Sequence, residues 1–179
     1  MEMSYLRCAY SLEKRGFRVD VDYARKKEQD LYDFVEQSRE WGKKTYGVSI
    51  GSGPQLIRFF QERGVEITEK TPSGAPSMNA DQLKLLINHP DAVTAQLAQT
   101  ALNSRKAEKL ASTYFKAIVE KNVDGRMHPS INTLGAITGR NSVSNPNMQN
   151  IPSDSSIVKN AYIPEEGHLL YSSDLDQVE

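Results

Sequence analysis

One cysteine in 179 residues, Cys8, excludes an internal disulfide and leaves a cysteine-built zinc site without ligands. Histidine is nearly as scarce: His89, His128 and His168 are scattered and share no ligand spacing. No apolar run approaches the roughly 18–20 residues that cross a bilayer, and no secretory hydrophobic segment follows Met1. A membrane partner is therefore not expected, and a cytoplasmic location is. Net charge is only −1, so overall charge names no partner. What is present, 38% hydrophobic and 25% charged residues, is the composition of an ordinary globular chain with enough length to bury a core. Cys8 is then read as a small core residue and His128 as a packed strand histidine.

The pattern along the chain is helical first and extended later. A short helix is expected over residues 4–14, closed by Gly16, with Phe17–Val19 extended. Asp20 is a candidate N-cap for a helix whose apolar stripe is Leu31, Phe34, Val35, Ser38 and Trp41. Ser52 with Gln55 reads as a capping box, which makes "GSGP" a turn and helix start; it lacks the lysine of a phosphate-cradling loop. Gly64 stops that helix, and "EITEKTPSGAPSMN" is a loop. Asn79 caps a helix to Ile87, and Asp91 opens a long helix free of glycine and proline for about 30 residues. Val93, Leu97, Leu102, Leu110, Tyr114, Phe115 and Ile118 mark its buried side. After "VDG" the chain turns to short extended segments, with "SIVKNAYIP" and "HLLYSSD" as strand candidates around a turn at 164–167. The fold class read from this order is α+β and mostly helical. A helical, thumb-like arm leads into the first strands of an incomplete antiparallel sheet.

Charge is distributed unevenly. Residues 103–140 carry seven basic against three acidic side chains, a balance of +4, and residues 154–179 carry one against six, a balance of −5. A basic stretch before an acidic end suits a polyanion held beside a metal site; two solvated faces of opposite sign fit as well. On the long helix Arg105 and Lys109 share a face with Lys106 nearby and Ser112 and Thr113 one turn on, a row suited to phosphates, or else a solvated helix face. In "TGRNSVSNPNMQNIP", Arg140 follows Gly139, and Asn147, Gln149 and Asn150 offer amides in one turn-rich loop. Every base pair presents minor-groove acceptors, so such groups can test pair geometry without reading sequence. The same residues also make a surface loop satisfied by its own side-chain turns. At the end, Asp174 and Asp176 would share one face of a strand, as hard ligands for magnesium or manganese or as a strand reaching water.

In this order "EKRGFRVD", "TEKTPSGAPSMNADQLKLL", "SRKAEKLASTYF", "DGRMHPSINTLGAITGR", "NPNMQNIP" and "SDLDQVE" resemble the family A DNA polymerases, of the bacterial DNA polymerase I type. The likeness runs from about Leu6 to Glu179, and "GRMHPSINTLGAITGR" is similar to phage members. The resemblance implies a hand-shaped polymerase: residues 1–19 a palm-proximal helix and strand, 20–123 the thumb, and 124–179 the beginning of the palm. Asp174 matches the aspartate that binds two divalent ions, Mg2+ or Mn2+, in the palm's first metal motif. Glu179 matches the glutamate that crowds the sugar 2′ position. Arg140 matches the arginine that reaches the minor groove at the primer terminus, Gln149 and Asn150 the loop beside it, and Arg105, Lys106 and Lys109 the thumb's duplex contacts. Implied partners are primer–template DNA and deoxynucleoside triphosphates, in the cytoplasm of a bacterium or phage-infected host.

Two stretches depart from the family pattern. Its D-Y-S-Q-I-E block reads here with Leu175, Asp176 and Val178, and its arginines after N-I-P are Ser153 and Asp154. The resemblance also implies that a chain ending at Glu179 stops inside the first metal motif, without fingers or the second metal aspartate. On that reading it does not polymerise alone, and a second polypeptide is a candidate to complete fingers and palm. Rival readings are a duplex-binding module without chemistry, an inactive remnant, and a glycosyltransferase using Asp174 and Asp176, against which the helical first 120 or so residues argue.

Overall fold

A computed structural model describes residues 2–136, 138–152 and 155–171. Helix α1 (Glu2–Arg15) ends at Gly16 and gives way to β1 (Phe17–Arg18). The Asp20 carboxylate accepts the backbone N–H of Tyr23 at 2.8 Å, so it caps α2 (Val21–Tyr46) as its residue type suggests. Helix α3 (Gly53–Glu62) starts at Ser52, α4 (Ala80–Ile87) at Asn79 and α5 (Ala92–Lys109) at Asp91, each cap accepting an N–H three residues on. A π-helical turn (Leu110–Phe115) and α6 (Lys116–Lys121) continue the last of these. Strands β2 (Arg126–Met127), β3 (Ser130–Asn132) and β4 (Ser142–Ser144), a 3-10 turn (Met148–Asn150) and α7 (Ser156–Lys159) complete the described elements. The class is α+β and mostly helical, with two antiparallel two-stranded sheets among the described residues, β1 with β2 and β3 with β4.

The chain forms two compact units, one of residues 28–112 and one of residues 1–27 with 113–179. The first has its own core, built on Ile50, Leu56, Phe60, Leu83, Leu97 and Ala101, all fully buried, where α4 lies along α5. Trp41, Tyr46 and Phe59 extend it through edge-on ring contacts at 5.3–6.0 Å. Gln82, 1% exposed, satisfies its carboxamide oxygen with the Thr68 and Glu69 N–H groups and the Thr68 hydroxyl, at 2.9–3.0 Å. That polar anchor holds the loop before α4. In the second unit Phe115, Ile118, Met127, Val158 and Ala161 are fully buried, and Tyr23 meets Phe115 edge-on at 6.3 Å.

Several expectations are corrected. Segment "SIVKNAYIP" is not a strand: Ser156–Lys159 is helical, and Tyr162 forms only an isolated bridge with Val19. Burying Val158 and Ala161 on one side of a turn outweighs the strand preference of Ile157 and Val158. Of the strand candidate "HLLYSSD", Leu169, Leu170 and Tyr171 are 92%, 61% and 90% exposed and form no strand, because an apolar run becomes a buried strand only where a neighbouring edge and a covering face exist. Ser172, Ser173 and Asp174 lie outside the described residues. Phe34 is 43% exposed rather than part of the α2 stripe, and Cys8 is exposed rather than in the core. The Ser52 capping box is half-formed: Ser52 accepts from Gln55 N, but the Gln55 carboxamide takes Ser49 N at 2.9 Å. The long helix is not uniformly α, since the π-helical turn interrupts it.

Candidate nucleic-acid interface

The hairpin of β3 and β4 pairs Ser130 with Ser144, Ile131 with Val143 and Asn132 with Ser142, and residues 133–141 join them. Its base is tied to α1, where the Glu13 carboxylate accepts Ile131 N–H. The Glu13 carbonyl lies 2.8 Å from His128 Nδ1 and can only accept, so that nitrogen carries the proton. The joining loop folds on itself through Leu134 N to the Asn132 side chain at 3.2 Å and Gly139 N to the Ala136 carbonyl at 2.9 Å. Gly135 passes so close to Ser142 that an added Cβ would strike its side chain. Gly139 has φ 77°, a conformation side chains resist, and this turn delivers Arg140 to the start of β4. Arg140 is exposed, while its neighbour Asn141 donates to the Tyr5 hydroxyl.

The 3-10 turn lies beside β4. Asn147 precedes it with an exposed side chain that caps nothing, and Gln149 and Asn150 are exposed on it. Two ties fix this loop to the helix before it. The Tyr114 hydroxyl donates to the Asn150 carbonyl at 2.7 Å, and Lys121 reaches the Asn145 side chain at 3.4 Å. The loop's backbone is therefore held while its amide side chains face solvent.

Arg105, Lys106, Lys109 and Ser112 belong to the other unit, and Thr113 opens the return of the chain. Lys106, Lys109, Ser112 and Thr113 are exposed. Arg105 is half-buried and donates to the Met78 carbonyl; desolvation lowers its pKa, with the nearby Glu108 opposing. Glu108 also takes Arg39 at 2.9 Å, and the Ser112 hydroxyl donates to the Glu108 carbonyl at 2.7 Å. Of the row read from sequence, Lys106 and Lys109 present their charge most openly.

Asp174, Asp176 and Glu179, with Ser153 and Asp154, lie outside the described residues. Among the described residues no three His, Cys, Asp or Glu side chains group as metal ligands, and no helix is long and apolar enough to cross a membrane. A cleft of about 260 Å³ opens between Leu12, Arg18, Arg126, Tyr162 and His168. Beside it Arg126 binds Glu165, whose carboxyl is held below its usual range by that hydrogen bond first and by the Arg18 and Arg15 charges after it. Sequence reasoning placed Tyr114 in a buried stripe and missed its hydroxyl. The available signal was the residue type, since a buried tyrosine O–H needs an acceptor.

The sequence pattern of DNA polymerase family A matches residues 21–179. The chain belongs to that family. It is 32% identical over 191 residues to DNA polymerase DpoZ of Vibrio phage phiVC8, covering 93% of this chain and 29% of that protein. DNA polymerase I of Synechocystis sp. is 32% identical over 180 residues, covering 94% and 18%. The solved POL domain of Pol1 from M. smegmatis, in complex with DNA primer-template and dNTP, superposes with a TM-score of 0.80 at 28% identity, covering 94% of this chain and 30% of that one. The chain thus spans less than a third of the length of these family A relatives.

Proposed function

We propose that this chain supplies the duplex-gripping part and the first metal-binding motif of a DNA-directed DNA polymerase, which adds deoxynucleotides to a primer 3′ end on a template. The observation that carries the reading is a pair of tied-down loops in one unit that expose Arg140, Asn147, Gln149 and Asn150. Guanidinium and carboxamide N–H groups meet the purine N3 and pyrimidine O2 acceptors that every base pair offers in the minor groove. Lys106 and Lys109, in the thumb-like unit, take backbone phosphates, with Arg105, Ser112 and Thr113 alongside them; such contacts bind without regard to sequence. The Pol1 relative was solved with primer-template and dNTP, which makes these the partners to test first.

Asp174 is the proposed ligand for two Mg2+ or Mn2+ ions, since its carboxylate oxygens are the hard donors such ions take. When bound, the ions supply activation of the primer 3′-hydroxyl and stabilisation of the departing pyrophosphate. Glu179 is proposed to crowd the 2′ position of the incoming sugar. On this reading these 179 residues by themselves bind duplex and do not extend a primer.

Two measurements test this. Anisotropy with a labelled primer–template duplex should show salt-sensitive binding, weakened by Arg140→Ala. Binding indifferent to that change and to magnesium would favour a duplex-binding module without chemistry. Primer extension with magnesium and all four deoxynucleotides should yield no product, and product would refute the inactivity of the isolated chain.

A further inference from the structure

Two tyrosine hydroxyls hold the main chain at both ends of residues 150–157. Tyr114 donates to the Asn150 carbonyl at 2.7 Å, and Tyr23 donates to the Ile157 carbonyl at 3.0 Å. Tyr23 also meets the ring of Phe115, the residue next to Tyr114, edge-on at 6.3 Å. Tyr114 and Phe115 are consecutive and both buried, at 9% and 0% exposure. On a regular α-helix adjacent side chains diverge by about 100°. Both residues lie in the π-helical turn Leu110–Phe115, with the Phe115 ring against Tyr23 and the Tyr114 hydroxyl reaching the loop. Such turns occur mostly as single-turn insertions and frequently at functional sites.

We infer that Tyr114 is a positioning residue for the amides that meet the duplex. This rests on the reading of Gln149 and Asn150 as minor-groove contacts. The tie acts on the backbone at Asn150, so it sets the origin of that side chain and, one residue back, of Gln149. A hydrogen bond to a carbonyl costs neither amide a donor, and both side chains stay exposed. Without the hydroxyl the ring still fills its place, but the 3-10 turn Met148–Asn150 loses its fixed distance from the helix.

The test uses the 179-residue chain, a labelled hairpin duplex in low salt, and Tyr114→Phe, which deletes one oxygen and keeps the packing. Backbone amide exchange over residues 147–152 in the free protein should quicken in Tyr114→Phe while the melting temperature stays within a few degrees. Duplex affinity should fall by about three- to tenfold, the scale of one hydrogen bond. Gln149→Ala with Asn150→Ala should weaken binding on its own, and adding Tyr114→Phe to that pair should cost nothing more. A loss of equal size with and without the amides, or no loss, overturns the positioning role and leaves the duplex reading standing. If removing both amides leaves affinity unchanged, the reading of this loop as a duplex contact fails and the inference falls with it; the exchange measurement then reports the tie alone.

Discussion

Asp91 holds two partners with one carboxylate. It accepts from the Thr94 N–H at 3.0 Å and hydroxyl at 2.7 Å, and the Arg63 guanidinium grips both of its oxygens at 3.1 Å. The Thr94 hydrogen bonds, then the Arg63 pair, bring its pKa from 3.8 down to about 2. The folded value lies below the unfolded one, so this group's stabilising contribution is complete above the unfolded pKa and disappears as pH falls toward 2. Acid titration followed by circular dichroism should show lost stability between about pH 4 and 2. Asp91→Asn, which still caps α5, should flatten that limb and lower stability at neutral pH.

Gln82 is the polar centre of the unit formed by residues 28–112. Gln82→Met keeps the volume and removes the acceptor that Thr68 and Glu69 use. Orphaned part-buried donors should lower stability by about 2 kcal/mol or more, measured by urea denaturation. A loss under about 0.5 kcal/mol would mean that water replaces the carboxamide.

Gly139 has open space around it, so only its φ of 77° resists a side chain. Gly139→Ala should cost about 1–2 kcal/mol in that turn and Gly139→Asn less. Because the turn delivers Arg140, Gly139→Ala should also weaken duplex binding in proportion to the Arg140→Ala loss. Equal affinity for Gly139→Ala and the parent chain would separate the turn from the contact.

Lys106 and Lys109 are exposed on one helix, with no ion pair between them and a described acid. If each neutralises a phosphate, Lys106→Ala and Lys109→Ala should each reduce the slope of log affinity against log salt by about 1, with no dependence on duplex sequence. Arg105→Ala should act differently and lower stability, because its guanidinium is tied to the Met78 carbonyl.

The helical half was legible because its signals are local. Asp20, Ser52, Asn79 and Asp91 each cap the helix that their residue type announces. Family membership was legible for another reason: T-G-R, N-P-N-M-Q-N-I-P and D-L-D-Q-V-E are contiguous runs that can be read in order along the chain without knowing what packs against them, and the family A pattern matches residues 21–179. The conformation of the strand candidates at 156–164 and, over its described residues, at 168–174 was not legible. A strand is defined by the edge beside it, and neither Ile157-Val158 nor Leu169-Leu170 says whether such an edge is there.

By itself, then, the sequence determined where helices start, that the chain is mostly helical, and which residue types gather in the Arg140 and Gln149 loops. Only the tertiary structure decided that Arg105 turns inward to a carbonyl while Lys106 and Lys109 face water. It alone set a π-helical turn beneath a glycine-free helix and sent the Tyr114 hydroxyl to Asn150. Capping is settled within three residues by one donor and one acceptor. The direction of a long side chain, and the partner of a buried hydroxyl 36 residues away, depend on what the rest of the chain packs around them.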